Sequence, residues 1–110
     1  RHYAEKVRLA KYDLNSDEVK QYLELGKLRE AMFFVAGELF NFNFAPVADG
    51  AVPVFQEDVK VWEVTDRTTG AHVGLWYLDP FARQGKRSGA WMSSFRGHET
   101  FNGKKTVLST

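Results

Sequence analysis

Residues 59–79 read VKVWEVTDRTTGAHVGLWYLD, and this stretch decides the fold. Two runs rich in β-branched and aromatic residues flank RTTG, whose final glycine supplies a tight turn, so the pattern predicts a β-hairpin. In the second run, the side chains of Val73 and Tyr77 point to one face and those of Trp76 and Leu78 to the other. Because both faces are apolar, we expect the strands to be covered on both sides, partly by polypeptide outside these 110 residues.

Helical patterns precede the hairpin. Tyr3, Val7 and Ala10, with Leu14 one turn on, recur at three- and four-residue steps, as one face of a helix requires. We expect this first helix to end near Asp13.

A second helix is predicted to start near Asp17, because Asn15 or Ser16 can cap it and Glu18 stands where a capping-box carboxylate would reach back. Gly26 costs about 1 kcal/mol relative to alanine inside a helix, so a break is expected before the main helix.

The main helix is predicted from residue 25 to residue 40. Its apolar residues recur at helical spacing over a wide arc, so we expect burial on more than one side. The stripe consists of Leu28, Met32, Val35, Ala36 and Leu39, widened by Phe33, Phe34 and Phe40.

The remaining segments complete an α+β fold in which N-terminal helices are followed by a small, mainly antiparallel sheet. Residues 42–58 contain prolines and an Asp-Gly pair and are interpreted as a connecting loop anchored by apolar side chains. GAWMSSF and KKTVLST are two further predicted strands, with a turn around Asn102 and Gly103. We therefore expect one unit over 1–110, helical over 1–41 and strand-rich over 59–110.

Composition excludes several classes of function. Fifteen Lys and Arg against fourteen Asp and Glu give a net charge of +1, so no overall field attracts nucleic acid or anionic lipid. The absence of cysteine excludes disulfide scaffolds, thiolate catalysis and sulfur-ligated zinc. No apolar run approaches the ~20 residues that span a bilayer. We expect neither nucleic acid nor a membrane as partner.

The three histidines form no recognisable metal site. His98 and Glu99 begin HETFN, but Asn102 stands where a His-Glu-x-x-His helix needs its second histidine, and Gly97 and Gly103 favour a turn. No serine elbow and no phosphate-binding glycine loop is present. The sequence therefore predicts no catalytic residue and no metal ligand in this chain.

A basic run at Arg83, Lys86 and Arg87 could grip a phosphate backbone, with Trp91 among the stacking surfaces. Three charges are few for a protein that binds by counterion release. We favour a solvated loop whose arginines pair with carboxylates such as Asp79.

Three stretches carry a resemblance to a known family: YAEKVRLAKYDLNSDEVKQYLELGKL, VKVWEV and GLWYLDPFARQGKRSGAWM. They resemble the segment upstream of the zinc-binding helix in the thimet oligopeptidase and neurolysin family, above all in its bacterial peptidyl-dipeptidase (dipeptidyl carboxypeptidase) branch. The resemblance implies a mostly helical zinc peptidase with a deep channel, whose zinc ligands lie downstream of residue 110. It implies that this chain alone binds no zinc and is inactive.

The resemblance also implies a substrate-binding role for Gly89, Ala90, Trp91 and Met92. They match the family's edge strand, along which an extended oligopeptide substrate lies, because unpaired strand N–H and C=O groups bind any peptide backbone. Without the resemblance, close packing of a strand against a helix would explain the small residues at 89 and 90.

Two hypotheses stay open. The first is a segment of a zinc oligopeptidase, in the cytoplasm or alternatively the periplasm, that supplies the substrate-aligning strand. The second is a self-sufficient α+β domain that binds peptide or protein without catalysis. Under the first, apolar surface that has lost its neighbours is expected to drive self-association.

Overall fold

The computed structural model describes residues 1–12 and 15–107, which form two compact units, Arg1–Pro80 and Phe81–Thr110. The α+β class is confirmed. In the first unit the elements are α1 (His2–Tyr12), α2 (Ser16–Lys20), α3 (Leu25–Phe40), β1 (Phe42–Pro46), β2 (Lys60–Asp66) and β3 (His72–Leu78). The second unit contains β4 (Thr100–Phe101) and β5 (Lys104–Lys105).

The first unit is built on an antiparallel sheet with strand order β1-β2-β3. The predicted hairpin is confirmed as β2 and β3, with Trp62 opposite Trp76 and a register shift between Val64 and Thr65. β1 differs from the prediction, since residues 42–46 had been assigned to the connecting loop. Asparagine and proline weaken the strand signal there, and β1 lies at the sheet edge, where proline is tolerated.

Four aromatic rings fasten α3 to the sheet. Phe33 stacks on Phe44 with ring centroids 4.3 Å apart, and it meets Trp62 and Trp76 edge-on at 5.5 and 5.2 Å. The guanidinium of Arg29 lies 5.1 Å from the centroid of the Trp62 ring. Such rings bury large areas and gain a further ~0.5–1.5 kcal/mol per favourable pair, so this cluster is the centre of the core.

α3 turns a different face to the sheet than the predicted stripe. Phe33 and Gly37 face the strands, and Gly37 is the buried residue of the helix. The exposed members of the stripe are Leu28, Met32, Val35 and Leu39. The prediction that they are buried is therefore wrong in this structure. The reason is that α3 is apolar nearly all round, so its sequence does not mark which face meets the sheet.

The two strands of the hairpin are covered unequally. Val61, Trp62 and Val64 on β2 are buried, so cover on both sides is confirmed for the central strand. On the edge strand, Val73 is half exposed, and Tyr77 is 39% exposed although its hydroxyl lies 3.5 Å from the Pro53 carbonyl. Cover on both sides is therefore not seen for β3.

The shorter helices follow their capping signals. Asn15 Oδ1 accepts a hydrogen bond from the Asp17 N–H at 3.0 Å, which confirms the predicted cap. The predicted break falls between α2 and α3, where the Glu24 carboxylate accepts the N–H groups of Gly26 and Lys27 at 2.8 and 2.9 Å. These two hydrogen bonds lower the pKa of Glu24.

α1 has no buried residue, and Tyr3 is one of its exposed apolar side chains. The predicted helix end at Asp13, and Leu14 on the apolar face, lie outside the described residues.

A junction joins the end of α3 to the hairpin turn. Asn41, in the left-handed conformation with φ 58°, donates from Nδ2 to Thr68 Oγ1 at 2.7 Å and accepts the Arg67 N–H at 2.8 Å. The Arg67 guanidinium donates to Glu38 Oε1 at 3.1 Å and to the Phe42 carbonyl at 3.3 Å. The helix end and the turn, more than 25 residues apart in sequence, are thus tied by side-chain and main-chain hydrogen bonds.

The turn itself is ordered by one carboxylate. Asp66 Oδ1 accepts the N–H of Thr69 at 2.7 Å, its hydroxyl at 2.9 Å and the N–H of Thr68 at 3.0 Å. These hydrogen bonds, those from Thr69 first, lower the pKa of Asp66 below its ordinary 3.8. The charged form therefore stabilises the fold fully above pH 3.8, and this contribution is lost as the pH falls through the lowered folded pKa.

We expect Asp66→Asn to make the acid-induced loss of stability shallower below pH 4, because asparagine keeps an acceptor oxygen but does not titrate. Urea unfolding of the 110-residue chain at several pH values measures this slope. The matched control is Asp58→Asn, whose exposed side chain accepts none of the described hydrogen bonds. An unchanged slope in Asp66→Asn would contradict the assignment.

The second unit is mostly irregular. The predicted turn is confirmed, since Asn102 and Gly103 have φ 48° and 73° and connect the short strands β4 and β5. Of KKTVLST, Lys104–Lys105 forms β5, and residues 108–110 lie outside the described part. The strand predicted at GAWMSSF is wrong for this structure, because residues 89–95 form no strand. That strand signal is local, whereas a strand exists only with a partner.

Candidate functional site

The candidate site lies on the loop at the start of the second unit. The first turn of this loop is held by hydrogen bonds to main-chain carbonyls of the same loop. The Lys86 N–H donates to the Arg83 carbonyl at 3.2 Å, and the Lys86 ammonium donates to the Phe81 carbonyl at 2.5 Å. Gly85 has φ 94°, a conformation that favours glycine. The chain therefore leaves this turn in a defined direction at Arg87. The predicted pairing of the basic loop with Asp79 stays a prediction.

The four predicted substrate-binding residues follow directly. Gly89 has φ 121°, a backbone conformation that favours glycine, whereas an added Cβ would make only ordinary contacts with the Trp91 ring at 3.7 and 3.8 Å. Trp91 is 69% exposed and Met92 91% exposed. Residues 89–94 make no main-chain hydrogen bond to one another or to any other described residue. Among the described residues this main chain therefore has no main-chain partner and does not form the predicted strand, and the substrate-binding role of the four residues stays a prediction.

Two small cavities lie against Trp91. One of about 360 Å³ is lined by Arg87, Ser88 and Trp91, and one of about 380 Å³ by Gly85, Lys86, Arg87 and Trp91. Arg87 and Trp91 line both. Sequence reasoning placed Arg87 in a basic loop and Trp91 in the substrate-binding segment, but it missed the concave site that the two residues share. The sequence signal that could have indicated this site is the four-residue spacing of Arg87 and Trp91 around two small residues, Gly89 and Ala90.

A third cavity, of about 220 Å³, lies in the first unit beneath residues 47–59. Its walls are mainly valines, among them Val59 and Val61, which also belong to the core. Asp49 at its rim is paired with the Lys60 ammonium at 3.1 Å. Nothing at this cavity resembles catalytic chemistry.

The histidines do not form a zinc site. His98 and Glu99 lie just before β4 and not in a helix, and the Glu99 main chain is bonded to Thr106 on both sides. His72 Nδ1 lies 2.8 Å from Glu63 Oε1 on the sheet. Within residues 1–12 and 15–107, no three His, Cys, Asp or Glu side chains cluster as metal ligands would. The described residues therefore do not fit a zinc centre.

In the part of the chain that the structure describes, no helix has both the length and the apolar character that crossing a bilayer requires.

The known proteins to which this chain is similar are peptidases. It is 41% identical over 107 residues to the dipeptidyl carboxypeptidase of Escherichia coli (strain K12), an alignment that covers 96% of this chain and 15% of that protein. Two proteins of Arabidopsis thaliana match 82% of this chain: the chloroplastic/mitochondrial organellar oligopeptidase A (38% identical, 11% of its length) and a probable cytosolic oligopeptidase A (40%, 13% of its length).

The model of peptidase family M3 matches residues 1–109, and the chain belongs to that family. The resemblance found in the sequence is thereby confirmed. The chain spans about 15% of the length of the dipeptidyl carboxypeptidase that it matches.

Proposed function

We propose that this chain is part of a zinc-dependent oligopeptidase of the peptidyl-dipeptidase type, which removes dipeptides from the carboxyl end of oligopeptides. The observation that carries the proposal is the family match over residues 1–109, together with 41% identity to a dipeptidyl carboxypeptidase. Two oligopeptidases at 38–40% identity support the same substrate class.

In this proposal the main chain at Gly89, Ala90, Trp91 and Met92 aligns the substrate. Its amide and carbonyl groups lack described main-chain partners, and unpaired backbone groups bind an extended peptide whatever its side chains. The exposed Trp91 and Met92 offer apolar surface beside that backbone. A bound peptide would supply the main-chain hydrogen-bond partners that this segment does not find among the described residues of its own unit.

The zinc of the parent enzyme is proposed to be held by residues outside the described part of this chain. Zinc in such enzymes supplies Lewis-acid activation of a peptide carbonyl. The residues described here contribute positioning of the peptide, so the 110-residue chain alone is proposed to be inactive and free of zinc.

Two measurements test the proposed function. The purified parent polypeptide should release dipeptides from an oligopeptide with a free carboxyl end, lose activity after chelation, and regain it with added zinc. The 110-residue chain should neither retain zinc after dialysis nor hydrolyse the same peptide. A parent polypeptide that binds peptide but never cleaves it would favour the alternative, a non-catalytic α+β binding domain.

We also propose that the isolated 110-residue chain self-associates through its exposed apolar surface. The stripe of α3 and half-exposed residues of β3 such as Val73 supply that surface. Sedimentation velocity and ANS fluorescence should show oligomers and dye binding, which Val35→Glu on the exposed face of α3 should reduce. A monomeric, dye-silent chain would contradict this.

A cytoplasmic location is proposed for the parent enzyme, with the periplasm as the alternative. It rests on the relative named a probable cytosolic oligopeptidase A. A similar match to an organellar protein shows that this segment does not itself specify the compartment. Fractionation of the source cells tests it.

A further inference from the structure

The basic loop presents one guanidinium beside the proposed substrate segment. Lys86 is engaged with the Phe81 carbonyl, and Arg83 accepts the Lys86 N–H through its own carbonyl. Arg87, by contrast, makes no ion pair and no side-chain hydrogen bond with any described residue. Arg87 lines both cavities against Trp91. An arginine placed this way is a binding group without a partner among residues 1–12 and 15–107.

The chemistry of these cavities favours a carboxylate ligand. A guanidinium presents a planar fork of N–H donors that matches the two oxygens of a carboxylate, and Ser88 adds a hydroxyl donor to one cavity. Trp91 adds apolar surface to the same two cavities, against which the alkyl part of a ligand can pack. A nucleic acid would need more neutralising charges than this loop provides.

The position of Arg87 along the chain suggests which carboxylate it receives. Arg87 precedes Gly89 by two residues, which spans at most about 7 Å. An extended dipeptide has about the same length, at roughly 3.3 Å per residue. A peptide aligned on the main chain near Ala90 can therefore place its free carboxyl end near Arg87, one dipeptide along.

We propose that Arg87 and Trp91 form a subsite for the free α-carboxylate at the carboxyl end of the bound oligopeptide. The proposal rests on the proposed function, because it deepens the description of the same substrate site. In this proposal the chain selects peptides that have a free carboxyl end. The positively charged guanidinium of Arg87 performs this selection, and no metal ligand is needed for it.

The test uses the full-length parent polypeptide, chelated so that binding is measured without hydrolysis. The probes are one fluorescent oligopeptide with a free carboxyl end and the same peptide as its carboxyl-terminal amide. The unaltered protein should bind the acid more tightly than the amide. Arg87→Gln should raise the dissociation constant for the acid about tenfold and leave the amide unchanged, as expected for loss of a charge-assisted hydrogen bond. Arg87→Lys should restore part of the preference.

Arg96→Gln is the matched control, since Arg96 is an exposed arginine of the same unit that lines neither cavity. It should leave both constants unchanged. Unchanged amide binding also shows that Arg87→Gln is folded.

The subsite is overturned if the unaltered protein does not prefer the acid, or if Arg87→Gln leaves acid binding unchanged or weakens acid and amide equally. Failure to bind either peptide overturns the subsite together with the proposed function. An acid preference that depends on Arg87 in a protein that cleaves nothing with zinc restored supports the subsite and contradicts only the proposed peptidase activity.

Discussion

Trp62→Ala is expected to lower the free energy of unfolding by about 3–5 kcal/mol, a large fraction of the stability of a small domain. Trp62 is 8% exposed, and its ring meets Phe33 and Trp76 at centroid distances of 5.5 and 5.2 Å. Alanine removes both aromatic contacts and leaves a cavity that the strands can close only in part. Urea unfolding followed by far-ultraviolet circular dichroism measures the loss.

Trp91→Ala is the matched control for this substitution, because the same side chain is 69% exposed there. It should change the free energy of unfolding by less than about 0.5 kcal/mol. If the two variants lose similar stability, the core does not lie where the aromatic cluster indicates.

Gly37→Val is expected to cost about 2–3 kcal/mol by overpacking. A Cβ at position 37 would lie 2.4 Å from Arg67 Nη2 and 3.1 Å from the Phe42 carbonyl oxygen. The arginine can move, but only by giving up its hydrogen bond to that carbonyl, and the carbonyl itself belongs to β1. Thermal and urea unfolding both measure the effect.

Gly74→Val makes the same change where no atom lies within 4 Å of the added Cβ, on a strand that suits β-branched residues. Its stability should stay within about 0.5 kcal/mol of the unaltered chain. A well-tolerated Gly37→Val would show that α3 can move away from the sheet at little cost.

Local signals in the sequence predicted much of the fold. The hairpin at β2 and β3 has two runs of β-branched and aromatic residues around a turn with glycine, and both are properties of neighbouring residues. The cap at Asn15 and the turn at Asn102 and Gly103 depend likewise on a few adjacent residues. Such features need no knowledge of what the rest of the chain does.

The predictions that failed concern contacts between elements that are distant in the sequence. α3 is apolar on several faces, and Phe33 is chosen for the core because Phe44 and Trp76 stand opposite it, which helical spacing cannot show. β1 exists because β2 offers it an edge. The strand predicted at residues 89–95 has the right composition but no partner within the described residues.

For the candidate site too, the sequence indicated some residues, whereas the arrangement of others depends on the three-dimensional structure. Gly89 and the residues after it were placed by resemblance alone, since their composition fits close packing as well as peptide binding. The shared cavities of Arg87 and Trp91 depend on how the turn at Gly85 directs the chain, and this is visible only in three dimensions.

The junction of Asn41 with Arg67 and Thr68 has a consequence for native-state amide hydrogen exchange. Because the end of α3 cannot fray without releasing the hairpin turn, amide protons in both should exchange through one shared opening, with similar protection factors. Amides of α1, which buries no side chain, should exchange orders of magnitude sooner.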